Sequence, residues 1–191
     1  MPENRSYHLS CGKTRYVSFD SVSRNRLHKH TYFEPCIVIS GSGEFEHGAT
    51  THALRAGDLF IADRGVFHEI RSLESRDLEL YFLSFLVTDA QAGRTVAREN
   101  LVPEPSITAF LARHRQHLPG QAHLVPLFEH VSRLGRREGG PRGERDVLDL
   151  SLLLVRQVVE ALSDSASLSD DAYSDRLQKA RVEEHIENHL H

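Results

Sequence analysis

The chain has 191 residues, a net charge of −4 and only two cysteines, Cys11 and Cys36. An acidic balance argues against a segment that grips phosphates by itself, and no stretch approaches the roughly eighteen apolar residues of a membrane span. With no CxxC pair and no apolar leader, the plain expectation is a cytoplasmic protein with reduced thiols and no membrane partner.

Residues 1–13 are polar and read as a flexible arm. From 14 to 90 the chain reads as β-structure. Short apolar runs at Tyr16–Phe19, Phe33–Ser40, Glu44–His47, His52–Leu54, Leu59–Ala62, Val66–Ile70 and Leu78–Val87 alternate with turn signals. Gly41-Ser42-Gly43 has the composition of a tight hairpin turn, and Gly48, Gly57 and Gly65 mark further turns. Strands at this regular spacing predict a jelly-roll barrel or sandwich.

The character changes near Ala90. Ser106 can cap a helix, and Ile107, Phe110, Leu111, His114 and Leu118 follow at helical spacing until Pro119-Gly120. Pro126 suits the first turn of a second helix with Leu127, Phe128, Val131 and Leu134 along one side. A third helix is predicted over about 144–162. Leu148, Leu152, Val155, Val159 and Leu162 form one seam, and Val147, Leu154, Val158 and Ala161 a second. Two seams make an apolar arc wider than one contact requires, so this helix is expected to meet a second copy in a homodimer. The domains are then a 14–90 barrel, a 105–163 helical segment, a Ser/Asp-rich linker at 164–175 and a fourth amphipathic helix at 176–191. That helix ends with its apolar face unaccounted for, which suggests a longer protein.

One spaced set carries chemistry: His28-x-His30-x3-Glu34, then Gly57-x7-Gly65-x2-His68. Side chains alternate across a strand, so the even-numbered His28, His30 and Glu34 would share a face if the strand ran unbroken; Pro35 warns of an irregularity. A barrel can bring His68 to them from another strand. Three imidazoles and a carboxylate suit Zn, Fe, Mn or Ni. Tyr32, Cys36 and Phe67 flank these positions and are candidate pocket residues. Beyond the three in this set, most of the thirteen histidines read as helix-surface residues.

The set resembles the paired cupin motifs, G-x5-HxH-x3,4-E-x6-G and G-x5-PxG-x2-H-x3-N. His28, His30, Glu34 and Gly41 match the first; Gly57, Gly65 and His68 match the second. The leading Gly of the first motif is replaced near Asn25–Leu27, its Pro position in the second holds Asp63, and the closing Asn falls on Ser72 or Arg71. A narrower resemblance runs through residues 28–34, 37–43, 54–61 and 65–70, and again through Ala180-Arg181-Val182-x3-Ile186-x-Asn188. These stretches are similar to AraC-family transcription regulators.

The resemblance implies a mainly β fold with a helical C-terminal part: a cupin barrel that senses a small-molecule effector, a helical dimerisation segment, and the start of a helix-turn-helix domain. DNA would be bound only through the missing remainder of that domain. Metal ligands would be His28, His30, Glu34 and His68, and the protein would not be an enzyme. Two alternatives stand beside this. Without a metal, Glu34 would pair with a histidine and raise its pKa, leaving an anion- or sugar-binding pocket. A three-His, one-Glu centre also suits a metal-dependent cupin dioxygenase or isomerase.

Overall fold

A computed structural model describes residues 6–73, 77–89, 101–103, 105–136 and 141–163. The strands are β1 (Ser6–Cys11), β2 (Arg15–Phe19), β3 (Glu34–His47), β4 (Thr50–Arg55), β5 (Leu59–Ala62), β6 (His68–Ser72), β7 (Leu78–Phe82), β8 (Phe85–Asp89), β9 (Leu101–Pro103) and β10 (His117–Leu118). The helices are α1 (Pro105–Ala112), α2 (Val125–Arg136) and α3 (Pro141–Leu162), with a 3-10 turn at Ala122–Leu124 before α2. The fold is mainly β, with antiparallel strands wrapped into a barrel and a helical C-terminal part. The expected linker and fourth helix at 164–191 lie outside the described residues.

β3 organises the barrel. Its first half pairs with β5 and β7, its second half with β4 and β6. The register shifts between Val38 and Ser40, where the strand crosses from one set of neighbours to the other. The hairpin expected at Gly41-Ser42-Gly43 is therefore a bend inside one 14-residue strand. Gly41 has φ +83°, and a Cβ there would collide with the Asp77 carbonyl oxygen. Its missing side chain serves close strand approach rather than a turn. The hairpin lies instead at Gly48 (φ +59°), between His47 and Thr50.

Period-two alternation divides β3 between two interiors. Cys36, Val38 and Phe45 join Leu54, Phe60, Ala62, Ile70, Leu78 and Leu80 inside the barrel. Ile37 joins Leu59, Ile61, Leu83 and Phe85 on the opposite sheet face, where the helices pack. Burial on both faces explains the continuous apolar runs at these strands.

Residues 6–11, expected within a flexible arm, form β1 between β8 and β9. Tyr7 and Leu9 are buried in the helix-facing core while Ser10 is exposed, so the alternation of a half-buried strand was present. The first helix stops at Ala112 rather than reaching Leu118. The chain instead turns, and His117 and Leu118 pair with Phe60 and Leu59. Capping the open edge of β5 supplies backbone partners that a longer helix could not.

α3 runs Pro141–Leu162. Its buried stripe is Ser151, Leu154, Val155, Val158, Val159 and Leu162, drawn from both predicted seams. Leu148, Leu150 and Leu152 are half-buried and Leu153 is 45% exposed. No helix among the described residues is long and apolar enough to cross a membrane. Cys11 and Cys36 are both free thiols.

Candidate metal centre

The three imidazoles expected to converge do so. One ring nitrogen from each of His28, His30 and His68 lies within 4.8 Å of the others. The route is the irregular one that Pro35 warned of, not an unbroken strand. His28 and His30 precede β3 on an irregular segment with bends at Thr31 and Tyr32. His28 is held by a two-bond bridge to His68, N–H to O at 3.1 Å and 2.9 Å in the two directions. The Gly65 N–H donates to the His30 carbonyl at 2.7 Å. Gly65 sits at φ +76°, a left-handed turn that glycine adopts without strain.

The main chain sets each ring's orientation. His28 Nδ1 is 2.8 Å from the Arg26 carbonyl oxygen, His30 Nδ1 is 2.8 Å from that of Tyr32, and His68 Nδ1 is 3.0 Å from that of Val66. A carbonyl oxygen only accepts, so each Nδ1 carries a proton, and in the neutral tautomer this leaves the lone pair on Nε2. His30 Nε2 and His68 Nε2 are buried with no hydrogen-bond partner. Burial lowers the pKa of both rings, that of His68 to about 4 with help from neighbouring His28, His30 and His47. Both are neutral at pH 7, so a cation need not displace a proton from either. Orphaned, converging, neutral imidazole nitrogens fit a divalent transition metal.

Glu34 falls outside this three-residue group, because β3 starts at it after the bend. Its Oε1 is 3.7 Å from His30 Nε2, too long for a hydrogen bond. Burial raises the Glu34 pKa. The expected metal-free pairing, in which Glu34 raises a histidine's pKa, is not what this geometry gives. His30 moves the other way, since desolvation outweighs any partner.

Beside the rings is a cavity of about 650 Å³ whose walls include His28, Tyr32, Glu34, Cys36, Ile70 and Phe82. Lys13, Arg15 and Arg24 stand along it. Tyr32 also stacks on His30, centroids 3.9 Å apart and planes 7° from parallel. The Cys36 thiol is fully buried, and desolvation holds its pKa well above the usual range, so it is a wall atom and no nucleophile. Phe67, expected to line the pocket, does not. It is 50% exposed, with Lys29 Nζ 4.7 Å from its ring centroid. It occupies the turn before β6, where alternation puts it opposite the inward His68.

The sequence reading missed a second group of histidines. His47, His52, His114 and His117 are not helix-surface residues. His47 Nε2 accepts from the Asp63 N–H at 3.1 Å. His114 Nε2 is 2.8 Å from Asp63 Oδ1, and His117 Nε2 is 3.1 Å from Asp58 Oδ2. The His52 ring lies 5.3 Å from that of His117. Alternation in Glu44-Phe45-Glu46-His47 could have placed His47 inside with Phe45. Nothing local marked His114, whose partner is 51 residues away.

The sequence profile of the Cupin domain family matches residues 17–84. The chain is 32% identical over 67 residues to the uncharacterized HTH-type transcriptional regulator YfiF of Bacillus subtilis (strain 168), a match that covers 35% of this chain and 21% of that protein. The chain thus spans about a fifth of the length of this curated relative. Among solved structures, it is similar to a predicted oxalate decarboxylase of Thermotoga maritima, with 28% identity and a TM-score of 0.37, over 38% of this chain and 64% of that one. It is also similar to the Cnp3 cupin domain of Schizosaccharomyces pombe, with 17% identity and a TM-score of 0.37, over 42% and 57% of the two chains. The segment that carries the site thus matches the Cupin domain family at residues 17–84, and an HTH-type regulator is among the proteins this chain is similar to.

Proposed function

We propose that this chain is the effector-sensing and dimerisation part of an AraC-type transcription regulator, with a divalent-metal or small-molecule site inside the barrel. The carrying observation is the convergence of one ring nitrogen from each of His28, His30 and His68, with the Nε2 atoms of His30 and His68 buried and unpartnered, beside a cavity of about 650 Å³. The imidazoles would hold the metal. Bound there, it would supply a Lewis-acidic point for an oxygen- or nitrogen-bearing effector. Glu34 lines the cavity within reach of that effector, and Tyr32 and Cys36 shape the wall.

Two features favour sensing over turnover. The 32% match is to a regulator. The helices share one continuous core with the barrel's outer sheet, from Leu9 and Ile61 to Val158 and Leu162, so a change in the barrel has a packed output. The partly exposed Leu148, Leu152 and Leu153 of α3 supply the dimer contact, and DNA would be bound through a helix-turn-helix domain. The enzyme reading retains one point in its favour: the same imidazole set beside an open cavity suits metal-assisted chemistry.

The test is calorimetric titration of Zn²⁺, Mn²⁺ and Ni²⁺ into the whole chain. One ion should bind at one site per chain, and His28→Ala should weaken it by more than about 100-fold, beyond the usual cost of losing an outer partner. Equal binding by His28→Ala would remove the site. Substrate turnover by the metal-loaded protein, lost in the same variant, would favour the enzyme.

A further inference from the structure

The turn between β5 and β6 faces two ways. Toward the barrel it holds the metal-site rings: the Val66 carbonyl orients His68, and the Gly65 N–H fixes the His30 main chain. Its own closure is the Val66 N–H to Asp63 carbonyl bond at 3.3 Å. It also carries the Asp63 carboxylate, whose Oδ2 is 3.7 Å from the His47 ring of β3, at the position where the second cupin motif has proline.

That carboxylate gathers partners from the helical part. Oδ1 is 2.8 Å from His114 Nε2, and Gln116 Nε2 donates to Oδ2 at 3.4 Å. His114 Nδ1 donates to the Phe110 carbonyl at 2.9 Å, which fixes the ring against the last turn of α1. A carbonyl partner on Nδ1 and a carboxylate on Nε2 are both acceptors, so this imidazole is held as a double donor. Asp63 accordingly has a lowered pKa and His114 a raised one.

From His114 the contact continues to the end of α3. His114 forms a β-bridge with Ser163, and the Arg115 N–H donates to the Leu162 carbonyl at 2.9 Å. Ser163 is 4% exposed and anchors back through its hydroxyl to the Val159 carbonyl at 2.7 Å. One carboxylate thus joins the turn that aims two imidazoles to the last residues before the expected linker. A parallel aromatic contact runs beside it: the Arg64 guanidinium lies over the Phe33 ring at 5.1 Å, and that ring meets those of Phe110 and His114.

We propose that Asp63, clamped by His114, is the positioning link that couples occupancy of the His28–His30–His68 site to the docking of the C-terminal end of α3. This deepens the sensor reading and rests on it. A cation drawing the three rings together pulls on the 63–68 turn, and the turn's only ionic attachment to the helical part among the described residues is Asp63 to His114. Ligand binding then shifts the α3 end by its differential affinity for docked and undocked states.

The experiment is hydrogen exchange of the whole chain with and without saturating Zn²⁺, read at the Arg115 amide and over 155–163. Wild type should show Zn²⁺-dependent slowing of at least about fivefold, the low end of ordinary coupling. In His114→Ala and in the isosteric Asp63→Asn the Zn²⁺-dependent factor should vanish, and His114→Gln, which keeps a side-chain donor, should restore part of it. A merely structural contact would speed exchange equally with and without Zn²⁺ and leave the ratio intact. By reciprocity, Zn²⁺ affinity in His114→Ala should fall by about the lost factor. Zn²⁺ that binds wild type without changing exchange at 155–163, or a ratio unchanged in both loss variants, overturns the link and leaves the metal site standing. Absence of Zn²⁺ binding to wild type overturns both.

Discussion

β3 looks into two interiors that are built differently. On its helix-facing side, Ile37 belongs to a core of Phe, Leu, Ile and Val side chains from β1, β5, β8 and all three helices, much of it fully buried. On its barrel side, Cys36 shares its space with His28, Glu34 and Tyr32 around a cavity. Orphaned buried nitrogens on His30, His52 and His68 belong to the barrel and its rim. Each such group weakens the fold by about 1–3 kcal/mol relative to a paired one. The helix-facing interior is thus almost wholly apolar, and the barrel interior retains unmet bonding capacity on converging rings that a ligand can satisfy.

The largest effect should come from breaking the first interior. Phe128 is 0% exposed on α2 against the sheet, and Phe128→Ala should cost about 3–5 kcal/mol in urea unfolding. Zn²⁺ affinity measured on the folded variant should stay at the wild-type value; a parallel loss would mean that the two interiors are one unit.

Next comes pH, which acts mainly on the barrel. The His68 pKa is about 4 folded against 6.5 ordinarily, and those of His30, His47 and His52 are also lowered by burial. Between the two values the unfolded chain holds protons that the fold does not. Stability should therefore fall as pH drops from about 6.5 toward 4, by up to about 1.4 kcal/mol per pH unit for His68, with the other three rings acting in the same direction. His114 works oppositely: its raised pKa contributes stability below 6.5 that is lost as pH rises through its folded value. Urea midpoints at pH 7 and pH 5 decide the balance, and a flat profile would mean that the barrel rings are more solvated than their burial indicates.

The smallest effect sharpens the boundary of the site. Phe67→Ala removes a half-exposed ring under Lys29 and should cost less than about 1 kcal/mol. It should leave calorimetric metal binding unaltered, since the ring lies off the cavity; a clear loss of affinity would return Phe67 to the pocket wall.

Much of this was legible in the sequence because it follows local rules. Glycine punctuation marked the turns at Gly48, Gly57 and Gly65, and the apolar runs marked the strands. The histidine spacing named the three rings that meet. What was not legible depended on non-local geometry. The bend at Thr31 and Tyr32 broke the parity argument that joined Glu34 to the ring set. Gly41 permitted close approach to a neighbouring strand, a demand that reads in sequence like a turn. The run from Ile107 to Leu118 had helical spacing, yet the open edge of β5 claimed its last residues. The Asp63–His114 pair spans 51 positions, and no periodicity reports a pair of that kind.

The carbonyls that hold the three Nδ1 protons belong to Arg26, Tyr32 and Val66, each two residues from the ring it steers. Aim is thereby stored in the peptide backbone, which substitution does not delete. Arg15, Val17, Ser18 or Phe82 can be exchanged to admit a differently shaped molecule while the imidazoles keep their bearing. A lineage carrying this arrangement can change what it recognises without first rebuilding how it recognises.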